Sequence, residues 1–400
     1  MSKPKIRFKG FEDEWTPDYA SNIFSSICDK GHPDLPVLSA TQDRGMIIRD
    51  ESEKIVLHNK ANEIGYKRVV PGQFVIHLRS FQGGFAHSDV EGITSPAYTV
   101  MGLKNPELHS DYFWKIVFSS KEFINRLKAV TYGIRDGRSI SYDDFLELSF
   151  SSPSSTEQYA IAKFFKKTSD YISILQDKIA SLKSLKICYL NRLFPIGGGY
   201  EPPIRLAGFS GEWKRVKLAD LLTIREDTAG ENFSKEDVLS VSGECGVVNQ
   251  IEFQGRSFAG ASISNYRVVN TGNVVYTKSP LKASPYGIIK TAKEQEGIVS
   301  PLYAVYNPND TCDADFIQTY FENKDRLNDY LRPLVNKGAK NTLLISDDGA
   351  LQGEVVVPSK EEQQAISNFF NELDKTIRLH EEELEKLKAL KESCLQGMFV

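Results

Sequence analysis

Pro4-Lys5-Ile6-Arg7-Phe8-Lys9-Gly10-Phe11-Glu12-Asp13-Glu14-Trp15 stands near the start of the chain. It returns 198 residues later as Pro202-Pro203-Ile204-Arg205-Leu206-Ala207-Gly208-Phe209-Ser210-Gly211-Glu212-Trp213. Glu91-Gly92-Ile93-Thr94-Ser95-Pro96-Ala97-Tyr98-Thr99-Val100 then matches Glu296-Gly297-Ile298-Val299-Ser300-Pro301-Leu302-Tyr303-Ala304-Val305, now at offset 205. A third block keeps offset 205, with Pro153, Ser154, Glu157, Gln158, Ile161, Phe164 and Phe165 against Pro358, Ser359, Glu362, Gln363, Ile366, Phe369 and Phe370. Three matched blocks in one order mean one duplicated unit. The seven-residue change of offset falls between Trp15 and Glu91, so a longer insertion is expected there in the second copy.

Within each copy, short apolar runs such as 68–77 and 266–276, separated by turn residues, read as strands. A single helix fits 111–130, and its counterpart fits 315–335. Ser-Pro-x-Tyr at Ser95–Tyr98 and Ser300–Tyr303 reads as a turn entering a strand. After Pro153 and Pro358 the pattern changes to apolar residues spaced three and four apart. No internal proline or glycine interrupts it before Pro195 and Gly397. Phe165, Ile172, Leu175, Ile179 and Leu182 would form one seam, and Phe370, Leu373, Ile377, Leu384 and Leu387 the other, as in a two-helix coiled coil. Residues 156–194 carry seven Lys/Arg against three Asp/Glu, and residues 361–395 carry five against nine, so the charges favour pairing. The expected class is α+β, with two mixed α/β domains at 1–152 and 196–357, a central long helix at 153–195 and a second at 358–400.

The 400 residues are 40% hydrophobic and 26% charged, enough for a core in each half. The formal net charge of −4 counts against a wholly basic nucleic-acid binder, so any such contact must come from local patches. Five scattered cysteines show no metal-ligand spacing. The first residues show no signal-peptide pattern and no apolar run is long enough to span a bilayer, so a cytoplasmic protein is expected. No Gly-Lys dipeptide occurs, which excludes a phosphate-binding Walker loop. The single-proline Ser-Pro-x-Tyr sequences lack the second proline of an adenine methyltransferase motif. His77 and His87 read as core or surface histidines rather than catalytic bases. No catalytic or metal-binding residue is assigned.

The repeated Gly-Phe-x-x-Glu-Trp, Ser-Pro-x-Tyr and Pro-Ser-x-x-Glu-Gln elements resemble those of specificity subunits of Type I restriction–modification systems, the HsdS family, over essentially the whole chain. The resemblance implies two target-recognition domains related by a pseudo-twofold axis and joined by an antiparallel helix pair. It also implies double-stranded DNA as ligand, with a bipartite asymmetric target. Two modification subunits would methylate adenine with S-adenosylmethionine, and two restriction subunits would use ATP and Mg. The rival reading is a coiled-coil adaptor with two binding modules not directed at DNA.

Base contacts are expected in polar loops between the matched strands, because Arg, Lys, Asn and Gln carry the side-chain geometry that reads base edges. In the first domain these are Thr41, Gln42, Arg44, Arg79, Ser80, Gln82, Arg135 and Arg138. In the second they are Lys278, Ser279, Lys282, Lys337, Lys340 and Asn341. Arg79 and Lys278 are expected at equivalent positions just past a strand.

Overall fold

The computed structural model describes residues 3–41, 44–49, 60–77, 84–127, 131–132, 139–281, 284–337 and 343–399. The chain divides into two compact units, Met1–Gln176 with Glu382–Val400, and Asp177–Glu381. The divisions fall inside the two long helices, Ser155–Arg192 and Lys360–Gly397, each 38 residues long.

Each unit is built on a four-stranded antiparallel sheet. In the first unit the order is Phe24–Ile27, Thr99–Leu103, Phe74–Ile76, Phe85–His87. In the second it is Leu222–Ile224, Tyr303–Pro308, Val274–Thr277, Ile288–Thr291. Both faces of each sheet are covered, which explains apolar runs without polar alternation. Phe74, Ile76 and Met101 point into a large aromatic core with Phe113, Trp114 and Phe118, while Val75 and Val100 join Leu38, Met46 and Val69 beneath the other face. The second unit repeats the division, with Val274, Tyr276 and Tyr306 on one side and Val275, Val305 and Leu239 on the other. The Ser-Pro-x-Tyr segments form tight turns, with Tyr98 N donating to Ser95 O at 3.1 Å and Tyr303 N to Ser300 O at 2.9 Å.

Three expectations are corrected. Each predicted single helix is two short ones, Asp111–Ser119 with Lys121–Leu127, and Ala314–Glu322 with Lys324–Leu331. The apolar spacing continues through both breaks, but Ser120 Oγ accepts from Phe123 N and Asn323 Oδ1 from Arg326 N, starting a new helix each time. The seven-residue length difference is not one insertion either. Pairing registers equate Leu38 with Leu239, Gly72 with Gly272 and His87 with Thr291, so the offset moves through 201, 200 and 204 before reaching 205. The third correction follows from the second. Val75 pairs with Val100 and Val275 with Val305, so Thr277 answers to His77, whereas an equivalence of Lys278 with Arg79 would need Tyr276 there; Arg79 itself lies outside the described residues. A one-residue shift along a strand changes the face a side chain occupies.

Along the long helices Phe165, Leu175, Ile179, Phe370, Ile377 and Leu384 are buried, and Ile172, Leu182, Leu373 and Leu387 are partly so. The helices run antiparallel to each other within each unit. In the first unit Tyr171 Oη donates to Glu383 at 2.6 Å and Lys391 Nζ to Ser169 Oγ at 2.9 Å. In the second, Lys183 pairs with Glu381 at 2.7 Å and Lys186 with Asp374 at 2.7 Å. The cross-helix ion pairs of the second unit have the sign expected from the opposite charges of the two segments. Among the described residues no helix is long and apolar enough to cross a membrane.

Candidate nucleic-acid interface

The repeated motifs hold the scaffold that presents the loops. Arg7 makes a bidentate contact to Glu157, with both N–O distances 2.7 Å, and Arg205 does the same to Glu362 at 2.8 and 2.6 Å. Each glutamate lies in the first turn of a long helix, where the helix dipole also favours a carboxylate. The next residue works on the other side. Gln158 Oε1 accepts from Ser110 N at 3.1 Å and its amide donates to Pro153 O, while Gln363 Oε1 accepts from Asp313 N at 2.9 Å and its amide donates to Pro358 O. Ser110 and Asp313 are the N-caps of the helices under the main sheets. The opening segment also closes onto the end of a long helix, Ile6 N donating to Gly397 O at 2.8 Å and Ile204 N to Arg192 O at 3.0 Å. Trp15 and Trp213 complete the packing, each 2% exposed.

On this frame the candidates among the described residues fall on three hairpins. Thr41 and Arg44 lie in the turn between Leu38–Ala40 and Met46–Ile48, where Thr41 Oγ1 donates to Gly45 O at 2.7 Å and accepts from Arg44 N at 3.2 Å. The matching turn follows Leu239–Ser242, with Ser242 Oγ accepting from Glu244 N and Cys245 N. Gly45 adopts φ 70°, and a Cβ there would lie 2.2 Å from His87 O, so glycine is required. Arg44 is exposed, with no ion-pair partner among the described residues. Lys278 and Ser279 lie just past Val274–Thr277, but Lys278 Nζ sits 2.8 Å from Asp347 Oδ1, and Arg267 approaches the other oxygen at 3.8 Å. The Lys278 charge is therefore balanced within the unit. Lys337 ends the strand Asn336–Lys337, which pairs with Leu343–Leu344. Gln42, Arg79, Ser80, Gln82, Arg135, Arg138, Lys282, Lys340 and Asn341 lie outside the described residues.

One candidate was missed in the sequence. After the short helix Gln250–Gln254, capped by Gly255 at φ 76°, Arg256 stacks 4.6 Å from the centroid of Phe258, whose side chain is 56% exposed. Gln250 fixes the turn by accepting from Phe258 N at 2.6 Å and donating to Ser240 Oγ at 2.9 Å. An arginine stacked on an aromatic ring keeps its in-plane donors free for a phosphate or a base edge. The Gly255-Arg256-Ser257-Phe258 sequence was the available signal, but it looks like any polar loop until the stacking is seen.

His87, by contrast, is a structural group. Its Nε2 is 2.8 Å from Asp111 and its Nδ1 3.5 Å from Asp89. Burial works to lower its pKa, and hydrogen bonding to the two aspartates raises it by more. Among the described residues no cluster of three or more His, Cys, Asp or Glu could hold a metal ion.

No protein-family model matches the sequence. Among solved structures, the S subunit of a Type I restriction–modification system from M. genitalium aligns over 100% of this chain and 99% of its own, at 13% identity and a TM-score of 0.61. The HsdS subunit from Thermoanaerobacter tengcongensis aligns over 96% of both chains, at 13% identity and a TM-score of 0.45. A third structure, concerned with complex assembly and conformational transition of the type I R-M system, gives 13% and 0.45 over 96% of this chain. With two equivalent units, two 38-residue helices and end-to-end alignment on the first of these, the chain has the fold of a Type I restriction–modification S subunit.

Proposed function

We propose that this chain is the DNA-specificity subunit of a Type I restriction–modification complex, with each unit reading one half of a bipartite, asymmetric target. The observation that carries the reading is the contrast between scaffold and loops. The Arg–Glu and Gln–backbone contacts repeat residue for residue, while the loops between them differ in length at several separate points. A duplicated frame bearing unlike loops suits two different half-sites, since phosphate contacts orient a reader and loop side chains at base edges give it sequence preference.

In this reading the long helices set the gap. Thirty-eight residues at 1.5 Å each span about 57 Å, and readers on one face of B-DNA need about 34 Å between them. Catalysis belongs to partners: modification subunits methylate adenine with S-adenosylmethionine, and restriction subunits translocate and cut with ATP and Mg. Arg44, Arg79 and the Arg256–Phe258 stack are the contacts of first choice. Mapping methylated adenines in DNA from cells that carry this chain with its modification partner tests the proposal. A two-part motif is expected, with Arg79→Ala relaxing one part and Arg256→Ala the other. DNA modified at a continuous motif, or unchanged by removing this chain, would refute it.

A further inference from the structure

The two units supply an internal comparison at one buried lysine. Lys186 and Lys391 occupy the same position in their 38-residue helices. In the second unit Lys186 Nζ lies 2.8 Å from Glu322 and 2.7 Å from Asp374, and Glu322 is further paired with Lys290 at 3.1 Å. Its ammonium is neutralised on two sides.

The first unit has neither carboxylate. Ser119 stands where Glu322 ends its helix, Ser169 stands in place of Asp374, and Ala86 replaces Lys290. Lys391 is half-buried, and its one hydrogen-bond partner among the described residues is Ser169 Oγ at 2.9 Å. Two further lysines surround the same spot: Lys115 Nζ lies 4.7 Å and Lys166 Nζ 5.8 Å from the centroid of the Tyr112 ring. The Tyr112 hydroxyl lies beside Ser169. The acids nearby are Asp89, already 3.0 Å from Lys115, the exposed Asp170, and Asp111, which is paired with His87. Burial and the charge of Lys115 both disfavour the Lys391 ammonium, so it gains from an added anion.

From this geometry we infer that Lys391, Lys115 and Lys166, with the Tyr112 hydroxyl, form a binding site for a phosphate group. Lysines supply the point charges such a group needs, the Tyr112 hydroxyl can donate to it, and Ser169 Oγ, which donates to Phe165 O at 2.8 Å and accepts from Lys391, holds the ammonium in place. The site is independent of the target-reading proposal, because it concerns phosphate charge and not base sequence.

The full chain is melted with and without inorganic phosphate at constant ionic strength, and titrated with a non-cognate DNA duplex over a range of salt. Lys391→Gln and Ser169→Asp are compared with the parent. Ser169→Asp restores the carboxylate of the second unit, so it should fold, melt higher and lose the phosphate response. A free phosphate ligand predicts a melting shift with inorganic phosphate that both variants abolish. A DNA phosphate predicts no such shift, and instead a slope of log affinity against log salt smaller by about 0.9 in Lys391→Gln. The site is overturned if neither response changes in either variant, or if polyglutamate stabilises the parent as well as phosphate does.

Discussion

Removing Arg205 tests whether the repeated opening motif is a buried lock. Glu362 is 3% exposed in its side chain and Arg205 19%. Arg205→Ala would leave a buried carboxylate facing only the helix N-terminus, a change that costs about 3–5 kcal/mol when one partner of a buried pair is removed. The dipole of the helix Lys360–Gly397 offsets about 1 kcal/mol of this, so about 3 kcal/mol is expected. Glu362→Gln should cost less, about 1–2 kcal/mol, because Arg205 also donates to Ser210 O and Gly211 O and reaches water. The chain has three tryptophans, and Trp213 alone belongs to the second unit. Urea unfolding of 5-fluorotryptophan-labelled protein followed by 19F NMR therefore reads each unit separately. Arg205→Ala should move the Trp213 transition and leave those of Trp15 and Trp114 in place, and Arg7→Ala should do the reverse. Equal losses for Arg205→Ala and Glu362→Gln, or one shared shift of all three signals, would refute the asymmetric buried pair.

Three other outcomes follow from the structure. Burial pushes the Glu322 carboxyl up, but Lys290 and Lys186 outweigh it and hold the group at about 2, so its stabilising effect is complete above the unfolded value near 4.3 and fades as pH falls toward 2. The unfolding free energy of the second unit, taken from urea titrations, should fall across that window by up to about 3 kcal/mol, and Glu322→Gln should flatten the decline at the cost of stability at pH 7. Cys28, Cys188 and Cys245 are exposed while Cys312 and Cys394 are buried, with burial pushing the Cys312 thiol up to about 12. A thiol reagent at pH 8 should therefore titrate three groups quickly and the other two only on unfolding. If the helices set the gap as proposed, four residues inserted near Ser181, with four more near Glu381 opposite, should lengthen the space between methylated half-sites by about 2 base pairs, read by methylation mapping.

The parts of the fold legible in the sequence are those in which chemistry fixes residue identity. A bidentate carboxylate clamp needs arginine, and a residue that must accept from one backbone N–H while donating to a carbonyl needs an amide side chain. Arg7, Arg205, Gln158 and Gln363 therefore survive in both copies and mark the duplication. The helix breaks at Ser120 and Asn323 were hidden because the apolar spacing that packs Phe118 and Phe123 runs straight through them. Matched blocks give only the sum of intervening length changes, which is why four separate differences looked like one insertion. The one-residue error between Arg79 and Lys278 has the same origin, since only strand pairing fixes the register inside a variable span.

The net charge of −4 also takes on a different meaning. Glu157, Glu362, Glu322, Asp374 and Asp347 are all bound to cations inside the units, so these acids belong to the folding frame rather than to a repelling surface. Duplication makes this separable in a single chain. What both copies keep at equivalent positions is what the frame needs, because folding demands are common to the two. Where one copy closes an ion pair and the other leaves the lysine without a carboxylate, the demand of the frame cancels and a second demand remains. Lys186 and Lys391 are such a pair. A lysine half-buried beside two others, where the equivalent lysine has two carboxylates, is better explained by an anion from outside the chain than by anything the fold requires.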